Sequence, residues 1–148
     1  MDLPSQRLPD AAKVYWRLRG AGLGIGVLLA ALAFWDTSGR WGVAVAALVA
    51  AFAGGSLPEL RWRRWRYEVR DEEVDLLRGA IVVRRTVIPI RRVQHVDTQA
   101  GPLQDSLGLA TVTFHTAAGG VAIPALAKGE AERVRTRVAE LARTRDDT

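Results

Sequence analysis

Residues 20–35 read GAGLGIGVLLAALAFW, sixteen consecutive positions without a charged side chain. Residues 41–58 repeat the pattern over eighteen positions, as WGVAVAALVAAFAGGSLP. The polar segment DTSGR at 36–40 separates them and is rich in turn formers. Neither apolar segment has the polar stripe of a helix that is half-buried in a small soluble domain. Both approach the roughly 20 residues needed to cross a bilayer core, so the sequence predicts a two-helix transmembrane hairpin at 20–58.

Aromatic side chains support a membrane location for this hairpin. The tryptophans all lie at or just beyond the ends of the two segments, and none occurs in the last 83 residues: Trp16, Trp35, Trp41, Trp62 and Trp65. An amphipathic ring prefers the headgroup level of a bilayer, which produces aromatic belts of this kind. We therefore predict these five side chains to be membrane-interface residues.

Basic residues close to the hairpin predict its orientation. Residues 1–66 carry nine Lys or Arg and four Asp or Glu, whereas residues 67–148 carry twelve of each, so the whole net charge of +5 belongs to the first part. The segment at 59–66 forms a basic aromatic collar with four arginines, Arg61, Arg63, Arg64 and Arg66. Only Arg40 lies in the connecting segment. The positive-inside rule then places both termini in the cytoplasm, including the N-terminal segment 1–19.

Two features of the hairpin leave alternatives open. The Ala-Leu-Ala at 31–33 resembles a signal-peptidase site, and cleavage there would leave a single span. Glycines at 20, 22, 24 and 26 and alanines at 46, 47, 50 and 51 provide small residues four positions apart. Such faces let transmembrane helices approach closely. They suit packing within the hairpin and equally a contact with another molecule.

After residue 66 the apolar period changes from helical to strand-like. Six short runs follow, at 67–70, 74–79, 81–90, 91–99, 109–116 and 121–126, with turn signals between them. Pro89 cannot donate to a strand ladder and is expected at a bend. Apolar residues at 134, 138 and 141 predict a C-terminal helix from about residue 129. The pattern indicates a bent antiparallel sheet or barrel closed by that helix, over 67–143, followed by a polar tail at 144–148.

The order of these features resembles a known family. An apolar hairpin is followed by a tyrosine-containing strand, a glycine hairpin, then IPIRRVQHV at 88–96, GPLQDSLGLA at 101–110 and TAAGG at 116–120. This arrangement is similar to the YdbS-like membrane proteins, which carry a bacterial pleckstrin-homology-like (PH-like) domain of the second type. The resemblance covers about residues 13–143. It implies a PH-like fold of about seven strands with a C-terminal helix, in a bacterial inner membrane. Gln104, Asp105 and Ser106 stand where such proteins often carry a basic residue.

No catalytic or cofactor motif is recognisable. The chain has no cysteine, which excludes disulfides and thiolate metal sites. His95 and His115 have no standard metal-ligand spacing around them, and we predict them to be surface or half-buried strand residues without a metal or cofactor. The glycines at 20–26 follow no strand, so they are not a dinucleotide fingerprint. The sheet domain has no net charge, which argues against nucleic acid as a partner.

These observations predict a non-enzymatic inner-membrane protein whose cytoplasmic domain is an interaction or assembly module. The resemblance implies homo-oligomers or a larger membrane partner with several PH-like domains. The candidate interaction surface comprises Arg84, Arg85, Arg91, Arg92, Gln94 and His95. The alternative is a sensor that binds anionic lipid headgroups through those four arginines, which the sequence places on two neighbouring strands, the third and fourth of the predicted sheet. The arginines could also form an ordinary solvent-exposed face without a ligand, with their charge balanced by acidic residues at 72, 73 and 75 on the preceding strand.

Overall fold

The computed structural model describes residues 3–33 and 35–146, with only the backbone at 35–40, 53, 145 and 146. Its helices are α1 (Asp10–Ala33), α2 (Trp35–Arg64), α3 (Pro102–Ser106) and α4 (Lys128–Asp146). Its strands are β1 (Gln6–Arg7), β2 (Arg66–Val69), β3 (Glu73–Arg78), β4 (Arg84–Pro89), β5 (Val93–Gln99), β6 (Leu109–Thr116) and β7 (Gly119–Ala127). Residues 66–146 are called the sheet domain below.

The hairpin consists of α1 and α2 in antiparallel contact. Two stretches of 24 residues, Asp10–Ala33 and Trp41–Arg64, are long and apolar enough to cross a membrane, and only 17% and 6% of their most apolar windows are buried. Such low burial distinguishes them from the core helices of a soluble domain. The predicted hairpin is therefore present, with different helix limits. α1 begins at Asp10, ten residues before Gly20. Segment 36–40, predicted as the turn, lies instead within α2, which begins at Trp35.

Small residues set the distance between the two helices. A Cβ atom placed on Gly24 would lie 3.1 Å from the Cβ of Ala50, and one placed on Gly54 would lie 3.6 Å from the backbone of Ala21. Larger side chains at these positions would force the helices apart. The prediction that small faces pack the hairpin is thereby confirmed for this pair of faces.

The strands form two antiparallel sheets. One has the order β1-β2-β3-β4 and the other β5-β6-β7, and the sheets do not close into a barrel. Pro89 ends β4, and a single 3-10 turn at Ile90–Arg92 leads from one sheet to the other, which confirms the bend predicted there. β1 is a two-residue strand that the sequence analysis did not predict. It pairs with β2 and attaches the segment before α1 to the sheet domain.

The core lies between the sheets, α4 and the first turns of α1. α4 contributes Val134 and Val138, 4% and 0% exposed, with Leu141 partly buried beside them. The predicted apolar stripe and the closing role of this helix are confirmed. α3 ends at Ser106, and Gly108 follows it with φ of +68°. The inward side chain of α3 is Gln104, 7% exposed, whereas Leu103 is 36% exposed.

Candidate functional site

The predicted interface tryptophans divide into two groups. Trp16 and Trp65 are buried, 7% and 2% exposed, and belong to the core, and Trp62 packs partly against it. Trp41 is 83% exposed, and the side chain of Trp35 lies outside the described residues. Three of the five rings therefore contact protein at the junction of hairpin and sheet domain.

Glu59 is the acidic centre of this junction. Its carboxylate lies 3.1 Å from Arg17, 3.1 Å from Arg63 and 3.7 Å from Lys13. The ammonium group of Lys13 also sits 3.9 Å from the centroid of the Trp62 ring. Because Lys13 and Arg17 belong to α1 whereas Glu59 belongs to α2, the cluster joins the two helices at their predicted cytoplasmic end.

Two collar arginines contact the sheet domain. Arg64 donates from Nη1 to the carbonyl oxygens of Ala80 at 2.9 Å and Ile81 at 3.3 Å, so the end of α2 holds the loop between β3 and β4. Arg66 lies within β2, paired with Leu77. The collar predicted at 59–66 thus supplies intramolecular contacts as well as positive charge.

A cavity of about 610 Å³ opens between the hairpin and the sheet domain. Its walls come from α1, α2, the β3–β4 loop, α3, β6 and β7, through Tyr15, Trp16, Arg19, Gly20, Leu23, Leu57, Pro58, Arg61, Ala80, Gln104, Thr111 and Pro124. One side is apolar helix surface and the other carries polar groups. This size falls in the range of small-molecule sites, roughly 300–1,000 Å³.

Two arginines give the cavity its charge. Arg19 donates from Nη1 to the hydroxyl oxygen of Tyr15 at 3.1 Å, and the guanidinium of Arg61 lies 5.1 Å from the centroid of the Trp16 ring. Among the described residues, neither guanidinium forms a salt bridge with a carboxylate. The arrangement is therefore a positively charged recess at the depth where the span ends.

On the inner wall, the polar groups already have partners. Gln104 donates from Nε2 to Thr111 Oγ1 at 2.9 Å, and its Oε1 accepts from the Gly101 N–H at 3.4 Å. Both atoms of the buried amide are therefore satisfied, which fixes the side chain against β6. This wall of the cavity therefore has a fixed shape before any ligand binds.

The predicted arginine surface is not one surface. Arg85 forms a two-pronged ion pair with the fully buried Asp75 on β3, with Nε 2.9 Å from Oδ1, and this pairing raises the pKa of Arg85. Arg84 is exposed at the same end of β4, whereas Arg91 and Arg92 are exposed beyond its other end. A strand of six residues spans roughly 17 Å between them, and β4 and β5 belong to different sheets. The expected placement on neighbouring strands is therefore corrected.

The remaining two predicted residues lie on β5. Gln94 is exposed at an irregularity of the β5–β6 pairing. His95 lies opposite His115 on β6, with the ring centroids 4.3 Å apart and the planes 11° from parallel. Asp97 is beside both rings, 3.7 Å from His95 Nε2 and 3.1 Å from His115 Nε2. The two histidines, 20 positions apart in sequence, are direct neighbours.

Sequence reasoning missed the residues that the fold brings to these places. Arg19 was only one of the nine basic residues counted in residues 1–66. Thr111 and Asp97 were assigned only to the predicted strands at 109–116 and 91–99. The one available signal was the strand alternation, which puts His95 and Asp97 on one side of β5.

Comparisons with known proteins agree with this architecture. A family model described as Bacterial PH domain matches residues 21–142. The chain is 40% identical over 154 residues to the UPF0699 transmembrane protein YdbS of Bacillus subtilis (strain 168), covering 97% of this chain and 95% of that protein. It is also 32% identical over 83 residues to the UPF0699 transmembrane protein YdbT of the same organism, which is 53% of this chain and 17% of that protein. No solved structure matches significantly.

Proposed function

The chain belongs to the UPF0699 family of transmembrane proteins with a bacterial PH domain, and from that premise we propose that it is a non-enzymatic assembly module of the bacterial inner membrane. Its hairpin associates with a second copy or with a larger PH-domain membrane protein, and its sheet domain is held at the cytoplasmic surface. Neither relative has an enzymatic name, which agrees with a module that binds rather than catalyses.

The observation that carries this proposal is the unequal use of two small-residue faces on α1. Gly20 and Gly24 are buried in the hairpin, with Gly24 directly against Ala50. Gly22 and Gly26 point elsewhere, and a Cβ on either would meet nothing within 4 Å. In a bilayer, a pair of glycines four apart lets a second helix backbone approach closely. The face with Gly20 and Gly24 packs inside the hairpin, and the face with Gly22 and Gly26 is available to another chain.

The longer relative supports the choice of partner. The matching segment covers 53% of this chain and only 17% of the B. subtilis protein YdbT, so about half of this chain has a counterpart within a much larger transmembrane protein. Related segments in proteins of different length suit an assembly in which such units pack on one another. The partner is either identical to this chain or related to it.

The absence of cysteine from the chain makes a direct test possible. Single cysteines at Gly22→Cys and Gly26→Cys would be oxidised in native membranes and compared with Leu23→Cys and Val27→Cys, each about 100° further round the same helix. We expect covalent dimers, or a covalent adduct with a larger membrane protein, at 22 and 26 only. Equal cross-linking at all four positions, or a purely monomeric protein in mild detergent at low salt, would contradict the proposal.

A second candidate function, binding of an anionic lipid headgroup, is favoured by the cavity at the hairpin base. Arg19 and Arg61 face it without carboxylate partners among the described residues, and apolar helix surface at Leu23 and Leu57 continues from it toward the span. A headgroup phosphate would accept hydrogen bonds from the guanidinium groups, while the acyl chains follow the helix surface. From the sequence this role is expected of four arginines on the strands, of which Arg85 is bound to Asp75.

The two sets of arginines can be compared in one experiment. The full chain in nanodiscs of mixed lipid would be assayed for the enrichment of phosphatidylglycerol over phosphatidylcholine among the lipids that co-purify with it. We expect the R19Q/R61Q variant to lose at least fivefold enrichment and the charge-matched R91Q/R92Q variant to retain it. Loss of phosphatidylglycerol enrichment in R91Q/R92Q alone would assign headgroup binding to the strand arginines. No change in either variant would eliminate headgroup binding at both places.

A further inference from the structure

Three ligand atoms converge on the outer face of the second sheet. His95 Nε2 and His115 Nε2 both face Asp97 Oδ2, at 3.7 and 3.1 Å, and the ligand atoms of the three side chains all lie within 4.8 Å of one another. The cluster belongs to neither the hairpin nor the cavity, and neither function proposed above uses it.

A β-bulge brings the cluster together. Val93 pairs with Thr116, yet His95 pairs with His115, so one additional residue, Gln94, is accommodated on β5. In a regular ladder Gln94 would lie opposite His115, and His95 would point to the other side of the sheet. The bulge places His95, together with Asp97, on the same face of the sheet as His115. Bulges commonly re-aim a side chain next to a functional site.

The third strand leaves space for the imidazole of His115. Gly120 lies opposite His115 in β7, and a Cβ at that position would touch ring atoms Cε1 and Nδ1 at 3.6 Å. On the solvent side, the side chains of His95, Asp97 and His115 are 60%, 47% and 35% exposed. An ion would therefore reach all three without any opening of the fold.

The spacing suits a particular class of ion. Zinc-type ions bind imidazole nitrogen and carboxylate oxygen at about 2.0–2.2 Å, so two ligand atoms in a tetrahedral shell lie roughly 3.4 Å apart. The two distances to Asp97 bracket that value. The two imidazole rings are nearly parallel, with centroids 4.3 Å apart, so they would have to turn toward the ion, and their exposure to solvent permits this. Two imidazoles favour zinc, cobalt, nickel or copper, whereas magnesium and calcium prefer oxygen ligands.

We propose that His95, Asp97 and His115 form a surface site for a divalent transition-metal ion of the zinc type. Three protein ligands leave a fourth position that water or a side chain of a partner protein would occupy. The ion would connect β5 to β6 across the bulge. The competing explanation is a ring stack with a hydrogen bond from His115 to Asp97, which requires no ion.

The test uses the full chain in detergent with a histidine-free affinity tag, since the protein itself has only two histidines and no cysteine. Zn²⁺ would be titrated by calorimetry, Co²⁺ by its visible absorption, and Mg²⁺ as the control ion. Variants H95Q, H115Q and D97N would be compared with D105N, which alters an exposed aspartate paired with Lys128 elsewhere on the domain. Thermal unfolding without metal would show that each variant is folded.

We expect one Zn²⁺ per chain, a tetrahedral Co²⁺ spectrum and no Mg²⁺ binding. Each of H95Q, H115Q and D97N should weaken Zn²⁺ binding by at least tenfold, and D105N should leave it unchanged. Binding of Zn²⁺ to the folded protein should also raise its Tm, and this rise should be lost in the three variants. Absence of saturable binding, or Zn²⁺ binding by folded H95Q and H115Q as tight as that of wild type, would overturn the proposal.

Discussion

Asp75 is fully buried, although it is a charged side chain on a short strand. Arg85 contacts both of its carboxylate oxygens, and Arg70 lies 3.9 Å from one of them. An unpaired charge in the interior costs far more than an exposed one, so Arg85 has a structural role. Its neighbour Arg84 points to solvent. Two adjacent arginines thus have different roles, since Arg85 neutralises a buried carboxylate and Arg84 is exposed to solvent.

Replacing these two arginines should have unequal effects. We expect R85A to lower the free energy of unfolding by about 3 kcal/mol, because it leaves the Asp75 carboxylate buried without its closest cation, while Arg70 remains 3.9 Å away. R84A should change it by less than about 0.5 kcal/mol. Thermal unfolding followed by tryptophan fluorescence, to which the core residue Trp65 contributes, measures both. Equal destabilisation by the two substitutions would refute a structural role specific to Arg85.

Tyr67 gives the domain a sensitivity to alkaline pH. Burial, followed by the nearby carboxylate of Glu130, raises the pKa of Tyr67 above its ordinary value. In the unfolded chain the phenol loses its proton near pH 10, whereas the folded protein keeps it. The folded state then binds more protons, so its stability is complete below about pH 10 and falls as the pH rises further.

This behaviour can be isolated with a Y67F variant, which has no phenol to titrate. Between pH 8 and 11 we expect wild type to lose more stability than Y67F, since all other titrating groups are common to both proteins. Chemical unfolding at several pH values gives the difference directly. A wild-type minus Y67F difference that stays constant over this range would show that the phenol does not contribute.

At the scale of elements, the turn between β3 and β4 depends on one glycine. Gly79 has φ of +134°, and a Cβ there would lie 1.9 Å from the carbonyl oxygen of Val82. The turn it forms presents Ile81 and Val82, 75% and 76% exposed, beside Arg64 at the end of α2. The backbone of this loop is therefore fixed by a steric requirement, whereas its side chains remain accessible.

Three glycine substitutions distinguish the cost of a positive φ from the cost of the backbone clash. G79A combines a positive φ with a backbone clash, and we expect a loss of more than about 3 kcal/mol in stability. G119A has φ of +122° with nothing within 4 Å, and should cost about 1–3 kcal/mol. G101A, with φ of −76° and open space, should be nearly neutral. Thermal unfolding of the three variants should follow that order, and G79A as mild as G101A would be inconsistent with the clash.

For the whole molecule, the junction between hairpin and sheet domain is the organising feature. Arg64 and the core tryptophans Trp16 and Trp65 connect the two parts, and Glu59 joins α1 to α2 at the same end of the hairpin. β1 adds a further attachment by pairing with β2 across the start of the hairpin. The sheet domain is therefore attached to the hairpin through several side chains, and its position follows from that of the spans. Orientation in the membrane thereby decides which compartment the domain contacts.

Single cysteines on the cysteine-free chain test this orientation. With both termini in the cytoplasm, a cysteine at Ser38 should react with an impermeant maleimide added to intact cells. A cysteine at Asp146 should react only after permeabilisation. The reverse pattern would mean that the protein has the opposite orientation, and labelling of both positions from outside would show that α2 does not cross the membrane.

The sequence alone was sufficient for features that depend on local or additive properties. The apolar hairpin follows from the length of uncharged runs, the strands and α4 from their periodicity, and the bend at Pro89 from a missing N–H. Residue order and spacing were enough for the family resemblance. The predicted limits of the helices were less accurate, because the polar segment at 36–40 contains no proline that would exclude it from α2.

Tertiary structure alone decided which distant residues meet. The sequence contains His95, Asp97 and His115, but a shift of one residue in strand pairing moves a side chain to the opposite face, and the bulge at Gln94 is such a shift. The pairing of Asp75 with Arg85 rather than Arg84, and the burial of Trp65 rather than Trp41, likewise depend on register and packing. The sequence by itself thus determined that the chain is a hairpin joined to a PH-like domain. Folding determined which charges remain available at their junction.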